Sequence, residues 1–363
     1  MALRNDVVDR GKIGRTPALT RRSDETYTDF ISDARNQLLH AHWKNMSVRG
    51  NELMRKAGAP IAHTHAGVAK AREVLLEDLE LSTFLRVKRS CQEIYKQRIV
   101  ESYGERETEY LRRLDDAEKR GPGTLTYDPN FVYPDYAKVQ IHIQPGGYVG
   151  LPLAGMYYDY GTSIFYGGEN AEDALHARLA KQTPGPLDGR IKRVLEIGCG
   201  IGQMAVEMKR LHPEAEVIAT DIATPMLRYG HWRAAEQNIA VHFAQMPSEA
   251  LDFPDGHFDL VYEHILFHEI PIPVLDRTLK EVHRVLRPGG TFVVWDFASA
   301  EPDRPGYAGL VGLMDAADNG EPYAHEFVTC NVEQRLEDAG FTLRSRVQPG
   351  VMMGSRVCNK AAA

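Results

Sequence analysis

No two of the four cysteines, Cys91, Cys199, Cys330 and Cys358, stand in a C-x-x-C pair. The sequence therefore suggests neither a disulfide framework nor a zinc ribbon, and reduced thiols are expected. Also lacking is any run approaching the ~20 apolar residues that a membrane span needs. The opening stretch MALRNDVVDRGKIGRTP carries charges every few residues and no apolar core of signal-peptide length, so a cytoplasmic protein with no membrane partner is expected. Net positive charge is missing as well. A formal charge of −7 argues against a generally basic nucleic-acid binder and favours a small or neutral substrate. No internal repeat or low-complexity tract is visible. What is present is a chain of 363 residues with 43% hydrophobic content, enough for one or two domains around a substantial core.

Residues 1–24 read as a polar arm, and residues 25–125 as a helical N-terminal domain. In DFISDARNQLLHAHWKNM, Phe30, Ala34 and Leu38 recur every four residues, the mark of an amphipathic helix. A second helical pattern runs from Val68 to about Tyr103, and ERETEYLRRLDDAEKRGPG continues it to a Gly-Pro-Gly stop. Residues 126–180 are an aromatic-rich segment and linker, with ten aromatic side chains between Tyr127 and Tyr166. Within it VQIHIQ alternates like a short strand, while PGGYVG and YYDYG read as turns. From 181 to 363, β-type runs (RVLEIG, EVIATD, VHFA, FDLVYE, TFVVWDF) alternate with helical ones. This alternation predicts an α/β fold with a doubly wound, Rossmann-like parallel sheet.

The stretch EIGCGIG places Gly198, Gly200 and Gly202 between the first of these strands and a helix. In such a sheet that turn borders the ligand crevice. Glycine there lets a ligand approach the main chain closely. The dinucleotide fingerprint G-x-G-x-x-G would need glycine where Gln203 stands, so the spacing is not the usual one for NAD. About twenty residues on, VIATD ends in Asp221, at the tip of the second strand, where a carboxylate can accept ribose hydroxyl protons.

Glu196 to Gly202, Asp221, FPDGHFDLVYEHILFHEI and LKEVHRVLRPGGTFVVWDF together resemble a class I S-adenosylmethionine-dependent methyltransferase of small-molecule type, over residues 190 to 348. The resemblance implies a seven-stranded methyltransferase sheet and S-adenosyl-L-methionine as cofactor. It implies Gly198, Cys199, Gly200 and Gly202 against the methionine moiety, Glu196 ordering that loop or the cofactor's amino group, Asp221 on the ribose, and Ile222 and Met226 beside the adenine. The family's Asp near the end of the third strand is absent, which leaves Gln245, Met246 or Glu249 for the adenine amino group. Glu263 and His264 begin the segment expected beneath the sulfonium.

Methyl transfer from a sulfonium is an in-line displacement, and a hydroxyl acceptor also has to lose a proton. EHILFHEIP offers His268 and His264 as the base, with Glu269 beside His268 as the carboxylate that would fix its tautomer. LFHEI around His268 looks like the LxHDW of plant-type small-molecule O-methyltransferases. His264 and His268 also have the spacing of one helical face, but no third ligand is evident and no metal is expected. For the acceptor, aromatic faces and hydroxyls point to Tyr157, Tyr160 and Tyr166. Met314, Tyr323 and His325 come from the long loop that follows the fifth strand. The expected activity is methylation of oxygen or nitrogen on a small molecule, a natural product among the options, with the N-terminal helices supplying acceptor choice and a homodimer contact. Methylation of RNA or protein and a non-catalytic cofactor-binding subunit are the alternative readings.

Overall fold

In a computed structural model of the chain, residues 8–58, 65–166, 170, 172–297, 320–347 and 353–362 are described. The polar arm is not free. A short ladder of β1 (Lys12–Ile13) and β2 (Thr16–Pro17) leads into a segment in which Leu19 and Thr20 are fully buried. Tyr103 donates a hydrogen bond to the Pro17 carbonyl, and Thr20 bonds the backbone and side chain of Ser102. The charges of residues 1–24 hid a short buried anchor.

Helix α1 (Arg22–Lys56) is longer than the amphipathic stretch predicts. The second helical pattern is split into α2 (His65–Leu76) and α3 (Leu79–Gly104), because the Asp78 carboxylate accepts from Leu81 N at 3.1 Å and starts a new helix. α4 (Glu107–Ala117) follows. Two expectations for the aromatic segment are corrected. VQIHIQ is not a strand; its residues form short 3₁₀ turns in which His142 and Ile143 have φ of +56° and +57°. Gln92 holds the His142 carbonyl at 3.0 Å and Gly320 O accepts from His142 N, so tertiary bonds override the alternation. YYDYG is not a turn but part of α5 (Ala154–Phe165).

The sheet has eight strands in the order β3-β6-β5-β4-β7-β8-β10-β9. They are β3 (Thr124–Thr126), β4 (Arg193–Ile197), β5 (Glu216–Asp221), β6 (His242–Gln245), β7 (Phe258–His264), β8 (Leu286–Phe297), β9 (Phe341–Val347) and β10 (Met353–Lys360). The seven strands from Arg193 onward are those expected, and β3 adds an eighth, parallel to β6. β10 is antiparallel to both β8 and β9. The strands β4 and β7 are buried along almost their whole length, as strands covered on both faces of a parallel sheet are, and their buried carboxylates Glu196, Asp259 and Glu263 are hydrogen-bonded. Helices α6 (Ala174–Gln182), α7 (Gln203–Leu211) and α8 (Thr224–Glu236) cover one face. α9 (Ile272–Val285), α10 (Ala324–Thr329) and α11 (Val332–Asp338) cover the other.

After the edge strand β3, the chain re-enters the sheet at β4, steps outward through β5 and β6 to meet β3, then crosses back to β7 and β8. The direction of winding therefore reverses between β4 and β7, and a crevice opens there at the carboxyl ends. The helical part has a small cluster of its own around Met46, Met54, Leu75, Leu81 and Phe84, and it also shares a core with the sheet domain. Tyr95, Tyr103, Tyr157 and Tyr160 pack in one cluster with Met226, Tyr229 and Trp232 of α8. A buried ion triad ties the same region together: Arg233 of α8 lies 3.3 Å from Asp159 of α5 and 3.0 Å from Asp173. Arg233→Ala would leave Asp159 without its cation and Asp173 with Arg15 alone. A loss of about 3–5 kcal/mol in unfolding free energy is expected, read from the denaturant midpoint. A midpoint equal to the parent's would show that the triad does not hold these helices to the sheet.

Candidate active site

The carboxyl ends of β4, β5, β7 and β8 open into a cavity of ≈ 240 Å³, counted as space open to the centre of a water molecule. At its sheet end lies the glycine turn, with Gly198, Gly200 and Gly202 at φ of +61°, +55° and +67°. The three have different neighbours. A Cβ on Gly198 would stand 2.6 Å from Leu266, and one on Gly202 would stand 2.5 Å from the Phe243 ring. On Gly200 it would meet nothing nearer than Met226 Cε at 3.7 Å. Gly200 thus keeps cavity space open, while Gly202 starts α7 and packs inward, off the cavity.

Asp221 ties this turn to the next loop, since its Oδ2 accepts from Gly200 N and its Oδ1 from Ala223 N, each at 2.8 Å. Burial raises its pKa to about 6 against those bonds. Each oxygen keeps a lone pair for a further hydroxyl donor. Glu196 is buried beneath the turn and accepts from Tyr262 at 3.1 Å. Burial raises it to about 8, so it is mostly protonated at neutral pH until a cationic donor from the cavity favours the carboxylate. The Cys199 thiol is pushed well up by burial and stays neutral. Ile222 and Met226 complete this wall. A backbone cradle that only an absent Cβ keeps open, beside a carboxylate with spare lone pairs, fits an adenosyl sulfonium.

Three residues expected on the cofactor are elsewhere. Gln245 bridges Asp128 N and the Ile222 carbonyl, at 3.0 Å each, and Met246 packs on the core under α9. Glu263 is fully buried with Oε2 on Leu266 N. Strand alternation explains it: His264 faces the cavity, so Glu263 faces away. Glu249 accepts from the Tyr136 hydroxyl at 2.8 Å.

His264 ends β7 and His268 sits in a 3₁₀ turn, Phe267–Glu269, so the two do not share a helix face. Both line the cavity. Burial drives His264 well below its ordinary pKa, helped by His176 and His268, and it is neutral. Burial would lower His268 too, but Asp296 Oδ1 at 2.7 Å from Nδ1 outweighs it, and the pKa rises to about 9. The orienting carboxylate is therefore Asp296, at the end of β8, and not Glu269. Asp296 also accepts from the backbone N–H groups of Phe267 and His268, which fixes the turn. Glu269 instead accepts from Tyr148 and pairs with His142 Nε2, both at 3.1 Å. His142 Nδ1 lies 3.2 Å from Glu321. Burial opposes its charge, yet the two carboxylates raise His142 to about 9.

α5 presents Tyr158, Gly161, Thr162, Phe165 and, just beyond it, Tyr166 to the cavity, a helical i, i+3, i+4, i+7, i+8 face. Of the three expected tyrosines the structure thus brings Tyr166 to the cavity and places Tyr157 and Tyr160 away from it, on the opposite face in the helical core. Tyr323 is half-buried and off the cavity; Met314 and the His325 side chain lie outside the described residues. Sequence reasoning missed Gln92, Tyr95, Lys96, Tyr136, Tyr148 and Tyr158, all on the wall, and His142. The helical period of α3 and α5 was the signal that would have found several of them. Among the described residues no three His, Cys, Asp or Glu side chains converge as a metal site, and no helix is long and apolar enough to cross a membrane.

Residues 194–290 match the family described as methyltransferase domain. A demethylmenaquinone methyltransferase from Thermus thermophilus is 38% identical over 34% of this chain and 54% of its own length. A ubiquinone/menaquinone biosynthesis C-methyltransferase from Azotobacter vinelandii is 36% identical over 44% of this chain and 59% of its own. The chain spans a little over half the length of these curated relatives. Among solved structures, a putative O-methyltransferase from Nostoc punctiforme is similar over 70% of this chain and 68% of its own, at 16% identity and a TM-score of 0.45.

Proposed function

We propose that this chain, a class I S-adenosylmethionine-dependent methyltransferase by its domain at residues 194–290, methylates a small aromatic acceptor that carries an ionisable hydroxyl. S-adenosyl-L-methionine supplies the methyl as an electrophile on a sulfonium. Gly198, Cys199, Gly200, Glu196, Asp221, Ile222 and Met226 would hold it. The observation that carries the reading is the His268–Asp296 pair on the same cavity wall system as the glycine turn.

His268 Nδ1 is committed to Asp296, so Nε2 is the nitrogen left for a proton in the cavity. A neutral His268 takes the acceptor's hydroxyl proton, and Asp296 stabilises the imidazolium that forms. The resulting phenolate is nucleophilic at oxygen and at the ring carbons ortho and para to it. The methyl leaves its sulfur, releasing S-adenosylhomocysteine, and attack from carbon is followed by loss of that carbon's ring proton, which restores the aromatic ring. Positioning on the tyrosine wall decides between oxygen and carbon. The name of the Azotobacter vinelandii relative, a C-methyltransferase of ubiquinone/menaquinone biosynthesis, favours carbon. Oxygen is the second product on the strength of His268 itself, and no described residue of the cavity wall favours nitrogen.

Calorimetric titration with S-adenosylmethionine, parent against Asp221→Ala, tests the cofactor half. Binding weakened by about tenfold or more in the variant is expected, from loss of two charged hydrogen-bond acceptors. Incubation with hydroxylated aromatics, read by mass and by carbon NMR, tests the other half. A new methyl carbon on the ring supports the proposal; no heat with the parent protein removes it.

A further inference from the structure

We propose that the cavity wall formed by α3 and α5 is a carboxylate subsite with Lys96 as its cation, so that the acceptor is an aromatic hydroxy acid; this deepens the acceptor reading above and rests on it. α3 turns Lys88, Gln92 and Lys96 inward at i, i+4 and i+8, with relative exposures of 7%, 4% and 3%. A lysine that deeply buried is costly unless an anion meets it.

Among the described residues no carboxylate forms an ion pair with Lys96. Its hydrogen bond goes to a neutral amide, Gln144 Oε1, at the long distance of 3.5 Å. The carboxylates of the cavity are engaged elsewhere: Asp221 by the amides of Gly200 and Ala223, and Glu196 by Tyr262. Glu269 and Glu321 share His142, and Asp296 holds His268.

The wall is shaped around the ammonium. A Cβ on Gly161 would stand 2.6 Å from Lys96 Nζ, so the missing side chain on α5 is what gives the group its place beside the cavity. Arg35, 5% exposed, stands behind with its guanidinium 5.4 Å over the Phe165 ring, whose other surroundings include the cavity. Tyr95, Tyr158, Phe165 and Tyr166 supply flat apolar walls at the same end. One ammonium among aromatic faces suits a singly charged carboxylate on a planar ring. A phosphate dianion calls for a guanidinium fork or several cations at the contact. Burial lowers Lys96 to about 8, which leaves it mostly charged at neutral pH, as the role needs.

The test is calorimetric titration of the full chain, with and without saturating S-adenosylhomocysteine, using para-hydroxybenzoate, para-hydroxybenzamide and para-hydroxyphenyl phosphate. The benzoate is expected to bind about tenfold or more tighter than the benzamide. That preference should vanish in Lys96→Met, whose melting temperature stays at or above the parent's because an underpartnered buried charge is gone. Equal binding of benzoate and benzamide to the parent, tightest binding of the phosphate, or binding of none of them overturns the subsite. So does a preference that survives in Lys96→Met, and a variant that melts lower without losing the preference marks a purely structural lysine. Failure of S-adenosylhomocysteine to bind would instead strike the methyltransferase reading, since the carboxylate preference is read without it.

Discussion

Replacing His268 with alanine is expected to lower turnover of a hydroxylated acceptor by about 10²–10⁴-fold, while the dissociation constant for S-adenosylmethionine stays within about twofold. The asymmetry follows from position. His268 lines the cavity from the turn after β7, and its one strong bond goes to Asp296, whereas the cofactor cradle is built from the ends of β4 and β5. The pH dependence sharpens the claim. His268 titrates near 9, so at pH 7 only on the order of 1% is in the basic form. The value of kcat/KM should therefore climb about tenfold per pH unit through neutrality and level off near 9. Asp296→Asn removes the charge that raises the imidazole, so the inflection should move down toward the ordinary histidine range, with a lower plateau because the imidazolium loses its partner. A profile flat across neutrality, or full turnover by His268→Ala, would discard the base.

The parts of this design that could be read beforehand are those with a short period or a forced backbone angle. β4, β5 and β7 are mainly apolar runs bounded by turn residues, and EIGCGIG marks a place where the backbone takes φ values that side chains resist. Asp221 was legible because it ends β5, the strand that follows those glycines and pairs with β4. The acceptor end was not legible, since its geometry depends on which face of a helix points where. Tyr157 and Tyr158 are neighbours in sequence, yet one is in the core and the other on the cavity. Asp296 was hidden at the far end of a strand read only as hydrophobic. His142 sits in a segment whose alternation suggested a strand, and only the bonds from Gln92 and Gly320 turn it toward Glu269 and Glu321. Nothing in the sequence around Lys96 marks it as buried; the close approach of Gly161 on α5 is what encloses it.

Substitutions along the glycine turn should separate two kinds of damage. Gly200→Ala adds a methyl that no protein atom opposes, since the nearest neighbour is Met226 Cε at 3.7 Å. The fold should lose only the cost of a non-glycine residue at φ +55°, about 1–2 kcal/mol. The methyl points into the cavity, where the cofactor's chain must pass against the backbone. S-adenosylhomocysteine binding is expected to weaken by about tenfold or more, and Gly200→Val should take it below detection, because a methyl forced into a close contact costs about 1–3 kcal/mol and two cost more. Gly202→Ala behaves in the opposite way. Its methyl would stand 2.5 Å from Phe243, a buried ring between α7 and β6, so unfolding should occur at clearly lower denaturant. Protein that remains folded should bind the cofactor nearly as the parent does, for Gly202 is off the cavity. Calorimetry and denaturant melts on the same three variants read both effects. Gly200→Val binding as tightly as the parent would mean that no ligand lies against this turn, and the adenosyl sulfonium would lose its place in the fold.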